Sequence, residues 1–135
     1  MITTSELDRR EILAHLIPSP DNFLILTGLA GSARDVAALT NDGANPFTMA
    51  GCMGAAVPMG LGMSLAAPSR QILVITGDGE LMMNLGSLAS VASMRPANLT
   101  IVCIDNGCHG ETGGQIGHTG YGTDLELIAK GAGLT

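Results

Sequence analysis

Residues able to do chemistry collect at the ends of two apolar runs. The run "QILVIT" (71–76) ends at Thr76, and Gly77, Asp78, Gly79 and Glu80 follow before a helix-spaced apolar segment. The run "LTIVCI" (99–104) ends at Asp105 and Asn106. A carboxylate, an amide carbonyl and a backbone carbonyl are hard oxygen donors, the kind of set that suits Mg²⁺ clamping a diphosphate. Each piece also has a plainer reading, Asp78 as a helix N-cap and "DNG" as an ordinary turn. Three strand-to-helix turns are rich in glycine: "TGLAGS", "TGDGE" and "DNGCHGETGG". Glycine there allows close backbone approach, and helix N-termini present N–H groups to anions. "GLAGSA" breaks the G-x-G-x-x-G dinucleotide pattern, and no G-x-x-x-x-G-K-[ST] occurs, which excludes a P-loop.

The elements that position these residues follow from the pattern of apolar runs. Ser5 fits an N-cap for a helix through about residue 16, stopped by "IPSP". "NFLILT" (22–27) reads as a short buried strand, and a Gly-rich turn then feeds a helix from about Ala33. The extended "PFTMA" precedes the turn "GCMGAA" and a helix of small residues reaching Ala67. After "QILVIT", Leu81, Leu85, Leu88 and Val91 recur at helical spacing, predicting one helix closed by "RP". "LTIVCI" is a further strand, a long Gly/Thr/His loop spans 105–122, and a last helix starts near Asp124. Strands without in/out alternation, joined through helices, predict a mostly parallel sheet buried on both faces: one α/β domain built as a three-layer sandwich. In such a sheet ligands sit beyond the carboxyl ends of the strands. If the strands ending at Thr76 and Ile104 are neighbours, Asp78 and Asn106 come together.

Composition narrows the function classes. The 135 residues suit a single domain; 46% are hydrophobic and 13% charged, against about 25% in typical soluble domains. Low charge, 19 glycines and eight methionines predict an apolar surface that a partner partly covers. The net charge of −6, without a Lys/Arg cluster or Trp, argues against nucleic acid. The polar N-terminus is not a signal peptide, and the apolar stretch at 53–67 is broken by Pro58 and glycines, so no membrane span is expected. Cys52, Cys103 and Cys108 are odd in number and lack CxxC spacing, which points to a reduced, cytoplasmic setting.

Taken together, "GDGELMMNLGSLASVASMRPANLTIVCIDN" resembles the thiamin diphosphate motif, GDG followed 25–30 residues later by Asn. Here 28 residues separate Asp78 from Asn106. "AGCMGAAVPMGLGM" is similar to the family's turn and helix ahead of GDG, and "DNGCHGETGGQ" resembles the loop of sulfopyruvate and phosphonopyruvate decarboxylases. The resemblance covers essentially the whole chain, most specifically 50–115. It implies a thiamin diphosphate-binding fold, here the diphosphate-binding domain over residues 1–135. It also implies the usual further strand and helix after "AKGAGLT", which these residues lack.

The resemblance assigns roles residue by residue. Asp78, Asn106 and the carbonyl of Cys108 correspond to Mg²⁺ ligands. Gly77 belongs to the same turn, and Gly79 and Glu80 would offer N–H groups to diphosphate oxygens. The Gly51 carbonyl would accept from the cofactor's 4′-amino group, and the Met53 N–H would meet the pyrimidine. Cys52 lies between them, and the Met53 side chain would be the wedge that bends the cofactor; the alternative for Met53 is ordinary core packing. Gly28, Gly31 and Ser32 form the first Gly-rich turn, suited to a diphosphate contact or to plain helix capping. His109, Gly110, Glu111, Gln115 and His118 crowd the loop expected over the reactive carbon. Histidine changes charge near neutral pH and suits a proton relay, and any of these side chains could grip an anionic tail. There is no Arg or Lys between Pro96 and Ala129, so the cation for a sulfonate or phosphonate must come from elsewhere.

The implied reaction is decarboxylation of a small anionic 2-oxo acid. Family members need a glutamate against the pyrimidine ring, normally from a second domain for which this chain has no room. The resemblance therefore implies a β-type subunit completed by an α-type pyrimidine-binding subunit, with homo-association as well. A non-catalytic or regulatory cofactor-binding module and an acetolactate-synthase-like carboligase subunit remain open at this point.

Overall fold

The computed structural model of the chain describes residues 8–135. Helix α1 (Arg9–Leu16) starts at Asp8, whose carboxylate accepts from the Arg10 N–H and so caps the first turn. Ser5, the expected cap, lies outside the described residues. A single 3₁₀ turn leads into β1 (Phe23–Thr27), followed by α2 (Gly31–Leu39), β2 (Pro46–Thr48) and α3 (Ala56–Ala66). Then come β3 (Gln71–Gly77), α4 (Asp78–Met82), α5 (Gly86–Met94) and β4 (Leu99–Ile104). A two-stranded hairpin, β5 (Cys108–His109) and β6 (Gln115–Ile116), and a final helix α6 (Leu125–Ala132) complete the chain. Among the described residues no helix is long and apolar enough to cross a membrane.

The four longer-range strands form one parallel sheet in the order β2-β1-β3-β4. Successive strand residues face opposite sides, so the apolar runs feed two cores. On one face Ile25, Leu73 and Ile75 meet Leu13 and Ile17 from the α1 region and Val36 from α2. On the other, Leu26 and Val74 meet Val57 and Leu61 of α3, Leu88 of α5 and Leu125 of α6. This is the three-layer sandwich that unbroken apolar strands predict. Ile25, Leu26, Ile72, Val74 and Ile75 are fully buried, each side chain contributing about 1.5–3 kcal/mol. Helix α3 lies close on the sheet: a Cβ at Gly60 would come within 2.2 Å of the Val74 side chain.

Three local features differ from the sequence expectation. The helix after Gly77 is two helices, because 83–85 makes tight i→i−3 bonds: Met83 N–H to the Glu80 carbonyl and Asn84 N–H to the Leu81 carbonyl. Asn84 leaves the helical path to donate its side-chain amide to the Gly54 carbonyl, and Ser87 N–H and hydroxyl both bond the Asn84 carbonyl. β4, apolar apart from Thr100, is half-buried rather than enclosed; it is the last strand of the sheet among the described residues. The long loop contains the β5–β6 hairpin, whose two-residue strands are too short to show a period.

At the amino ends of β3 and β4 the fold closes on itself. Asn98 is buried, and its side-chain amide donates to the carbonyls of Ser64, Ala67 and Arg70 at 3.2, 3.1 and 2.8 Å. It ties the end of α3 to the start of the sheet.

Candidate active site

At the carboxyl ends of the strands the chain takes the opposite course. From β1 the chain runs through α2 on one face to β2; from β2 it runs through α3 on the other face to β3, on the far side of β1. The topology therefore reverses between β1 and β3, where open parallel sheets place ligands. The turns leaving these strands meet: Gly28 N–H donates to the Ile75 carbonyl at 2.8 Å and Leu29 N–H to the Glu80 carboxylate at 3.1 Å. A cavity of about 300 Å³ opens there, walled by Gly31, Ser32, Met53, Asp78, Asn106 and His109. A larger hollow of about 780 Å³ runs along β4, α5 and α6, but aliphatic side chains such as Leu88, Ile101 and Leu134 dominate it and the Asp78/Asn106 pair lies elsewhere.

The first wall is the start of α2. Its N-cap is Ala30, with φ 67° and ψ −123° and no side chain to cap the helix. A non-glycine residue in that region costs about 1–3 kcal/mol and persists where surroundings impose it. The consequence is a helix N-terminus with Gly31 and Ser32 buried and without a capping side chain, opening onto the cavity.

The second wall is the pair of adjacent strand ends. β3 and β4 pair in register through Gly77 and Ile104, which sets Asp78 beside Asp105 and Asn106. Asp78 is 4% exposed. The Thr119 hydroxyl lies 3.1 Å from the Asp78 carboxylate and 2.7 Å from that of Asp105. One hydroxyl proton serves one carboxylate at a time, which leaves lone pairs of both acids crowded at one place. The Asn106 side-chain oxygen accepts from Cys108 N–H at 3.1 Å. Gly117 N–H bonds the Gly107 carbonyl at 2.7 Å, so the next pair, Cys108 and Ile116, is a non-bonded pair of the antiparallel ladder. The Cys108 carbonyl therefore turns outward on the same edge as its N–H, the edge of Asn106. Among the described residues no three His, Cys, Asp or Glu side chains cluster as a metal site. A cation here would rely on a carboxylate, an amide and a main-chain oxygen.

Glu80 locks the turns together. It is 5% exposed, and one carboxylate oxygen accepts from Leu29 N–H; the other has no hydrogen bond of ordinary length, with the Thr76 hydroxyl and the Ala56 and Gly54 N–H groups as its more distant neighbours. A Cβ on Gly28 would lie 1.4 Å from its oxygen, so this contact requires glycine at 28. Burial pushes the Glu80 carboxyl above the usual range, opposed by Leu29 N–H, the Thr76 hydroxyl and the Ala56 and Gly54 N–H groups. Burial, with Asp105 nearby, likewise raises the Cys103 thiol to about 12, so this cysteine is inert.

The hairpin loop roofs the cavity. A Cβ on Gly79 would come within 2.8 Å of the His109 ring, so the imidazole lies directly on the GDG turn. Gly110 and Glu111 also line the cavity, and Glu111 pairs with Arg34 of α2. Gln115 instead folds onto Thr112, accepting from its hydroxyl and donating to its carbonyl. Gln115, His118, Gly51 and Cys52 lie outside the cavity lining, whereas Gly77, Gly79, Glu80 and Cys108 belong to it. Sequence reasoning missed Thr119, the Glu80 carboxylate as a buried brace, and the two cations at the cavity, Arg9 and Arg34. The arginines come from the first two helices, outside the glycine-rich turns, and no spacing signal links them to Asp78.

Comparison with known proteins gives the family. Residues 30–133, well over half of the chain, match the profile of the thiamine pyrophosphate enzyme C-terminal TPP-binding domain. The chain belongs to that family. It is 50% identical over 88 residues to the sulfopyruvate decarboxylase subunit beta of Methanocaldococcus jannaschii, covering 65% of this chain and 46% of that protein. It is 38% identical over 114 residues to the phosphonopyruvate decarboxylase of Streptomyces viridochromogenes, covering 84% of this chain and 28% of that protein. The matched part is thus less than half the length of either relative. In fold it resembles a thiamin diphosphate-dependent enzyme from Mycobacterium smegmatis, with a TM-score of 0.67 and 20% identity over 92% of this chain and 24% of that one.

The cavity fits the family's cofactor. The uncapped start of α2 offers N–H groups to diphosphate oxygens. Glycine at 28 and 79 lets the turns close where any side chain would collide with Glu80 or His109. The oxygen-only donors at Asp78, Asn106 and Cys108 suit a hard divalent cation.

Proposed function

We propose that residues 1–135 form one diphosphate-binding domain of a thiamin diphosphate- and Mg²⁺-dependent 2-oxo acid decarboxylase. In this reading the chain is a carbon–carbon lyase subunit that acts on a sulfonate- or phosphonate-bearing 2-oxo acid. The observation that carries it is the meeting of Asp78 and Asn106 at adjacent strand ends across from the uncapped start of α2.

Asp78, Asn106 and the Cys108 carbonyl would hold Mg²⁺, while Gly31, Ser32, Gly79 and Glu80 would receive the diphosphate through their N–H groups. The bound group supplies a carbon nucleophile and an electron sink for loss of CO₂. Met53, 42% exposed at the cavity wall, would press on the pyrimidine side, with the Gly51 carbonyl and the Met53 N–H fixing that ring. His109, held against Gly79, would move a proton at a ring nitrogen. Glu111 and Gln115 sit in the hairpin above, where they shape the space left for the substrate.

A partner completes the site. A Cβ built on Gly51 would meet nothing within 4 Å, so the turn that would meet the pyrimidine is uncovered. The outer face of α3 exposes Met59 and Leu65, and Met53 and Met83 are exposed nearby. A helix apolar all round is normally covered. An α-type pyrimidine-binding subunit that brings the missing glutamate fits both observations, and the assembly is read as cytoplasmic. The name "subunit beta" of the Methanocaldococcus relative supports the same division of labour.

The test is calorimetric titration of thiamin diphosphate with Mg²⁺, using wild type and Asp78→Ala, with and without a candidate α chain. Affinity that needs Mg²⁺ and Asp78, and turnover that appears only with both chains, is the expected result. Binding indifferent to Asp78→Ala overturns the metal clamp, and full turnover by the chain alone overturns the shared site.

A further inference from the structure

The substrate reading leaves one chemical need unmet: a cation for the anionic tail. The chain has six Lys and Arg residues, one of them a lysine. Arg70 precedes β3 and Arg95 ends α5, both at the closed end of the sheet, and Lys130 pairs with Glu126 on α6. Arg10 is largely exposed and lies outside the cavity lining. Only Arg9 and Arg34 reach the cavity among the described residues.

These two arginines are in different situations. The Arg9 guanidinium is committed: it pairs with Asp35 and rests on Gly31, where a Cβ would lie 2.3 Å from one of its nitrogens. Asp35 is nearly buried, its side chain 10% exposed, and this pair ties α1 to α2. Arg34, one residue earlier on α2, is 71% exposed and has one ionic contact, Glu111 of the hairpin roof at 2.5 Å. Glu111 is itself 54% exposed. An ion pair in that setting contributes about 0–1 kcal/mol and exchanges readily. A planar guanidinium fork binds carboxylates, phosphonates and sulfonates alike, so a carboxylate seated on it marks where such an anion is held.

We propose that Arg34 is the specificity-determining residue that holds the sulfonate or phosphonate tail of the substrate, and that Glu111 occupies it until the substrate displaces the carboxylate. This rests on the decarboxylase reading for the identity of the substrate, but not for the presence of the anion site. Arg34 recognises the tail from α2, while Asp78 and Asn106 belong to the strand ends that line the same cavity. Acids without a tail pass by it.

The experiment uses the full chain loaded with thiamin diphosphate and Mg²⁺ and assembled with its α-type partner. Calorimetry compares 3-sulfopropanoate, a three-carbon sulfonate lacking the 2-oxo group, with propanoate. Kinetics compares sulfopyruvate with pyruvate. Arg34→Leu is expected to weaken 3-sulfopropanoate by roughly tenfold to a hundredfold and to raise the KM for sulfopyruvate similarly. Propanoate, pyruvate and cofactor affinity stay unchanged. Arg34→Lys recovers part of the loss, because it restores charge without the fork. Glu111→Gln tightens 3-sulfopropanoate, because the competing carboxylate is gone. Equal losses for tailed and tailless acids, or a loss of cofactor affinity, overturn the proposal. Undiminished tail discrimination in Arg34→Leu overturns it too, even where sulfopyruvate is decarboxylated normally. Arg34-dependent sulfonate binding without decarboxylation of any 2-oxo acid sustains the anion site and rejects the activity instead.

Discussion

Asn98 and Glu80 are deeply buried polar side chains at opposite ends of one sheet, and the protein treats them differently. Asn98 gives its amide to three carbonyls between 2.8 and 3.2 Å, closing the junction of α3, β3 and β4. Glu80 accepts from Leu29 N–H with one oxygen and leaves the other without a hydrogen bond of ordinary length, with its ionised form penalised by burial. Buried polar groups in finished structure are satisfied. At the carboxyl end of the strands the same fold also tolerates an uncapped helix, Ala30 with a positive φ, and two carboxylates sharing one hydroxyl. Unmet hydrogen bonds gathered at one end are what a ligand-binding end carries, whereas Asn98 closes the other; positive φ does not divide the ends, since Arg95 at the closed end has φ 49°.

The contrast breaks most visibly at Asp78. Asp78→Ala is expected to lower cofactor affinity in the presence of Mg²⁺ by roughly a hundredfold, the equivalent of one lost charged ligand. Calorimetric titration measures it, and the urea midpoint of the metal-free chain should barely move. Asn98→Ala should do the reverse. The loss of its hydrogen bonds should cost about 2–3 kcal/mol in urea denaturation while cofactor affinity of the folded fraction stays put. If Asn98→Ala weakened the cofactor as much as Asp78→Ala, the division between the two ends would be wrong.

Smaller changes sharpen the comparison. Gly28→Ala drives a methyl into the Glu80 carboxylate and should destabilise by about 1–3 kcal/mol, loosening the cofactor turn as well. Adding Glu80→Ala to that variant removes the colliding group and should restore part of the stability, a coupling that a double-mutant cycle reads directly. Glu80→Gln is the mildest change. Its carboxyl is raised in the folded state, so the folded chain binds more protons than the unfolded one above the ordinary carboxyl range. Stability of the metal-free chain therefore falls as pH rises from about 4.5 through the raised folded value, and Glu80→Gln should flatten that limb of a pH–stability curve.

The sequence carried the sheet and one half of the site. Unbroken apolar runs at 71–76 and 99–104 gave strands that do pair, and so brought Asp78 and Asn106 together as expected. The break at 83–85 was hidden because Leu81, Leu85 and Leu88 keep helical spacing across it, while its cause is a tertiary bond from Asn84 to Gly54. Arg34 and Thr119 were invisible for a related reason. Each reaches its partner across long sequence separations, Arg34 to Glu111 and Thr119 to Asp78, and local pattern holds no trace of such contacts. "LTIVCI" showed that β4 is a strand but not that it is the outermost one and only half-buried, since an apolar run carries no order in a sheet.

The roof over the cavity hangs from a ladder of only two residue pairs, Cys108 with Ile116 and His109 with Gln115. A ribbon that short cannot hold its shape alone. Its form is borrowed from below, through His109 resting on Gly79 and through Thr119 beside Asp78. Within residues 110–114, Thr112 and Gly114 N–H return to the His109 carbonyl and Glu111 reaches Arg34 of α2, so the tip hangs on the ribbon and on α2. The floor of the site is thus set by the sheet, while the space above it is set by the contacts of His109 and Thr119 and by one exposed ion pair, Arg34 with Glu111.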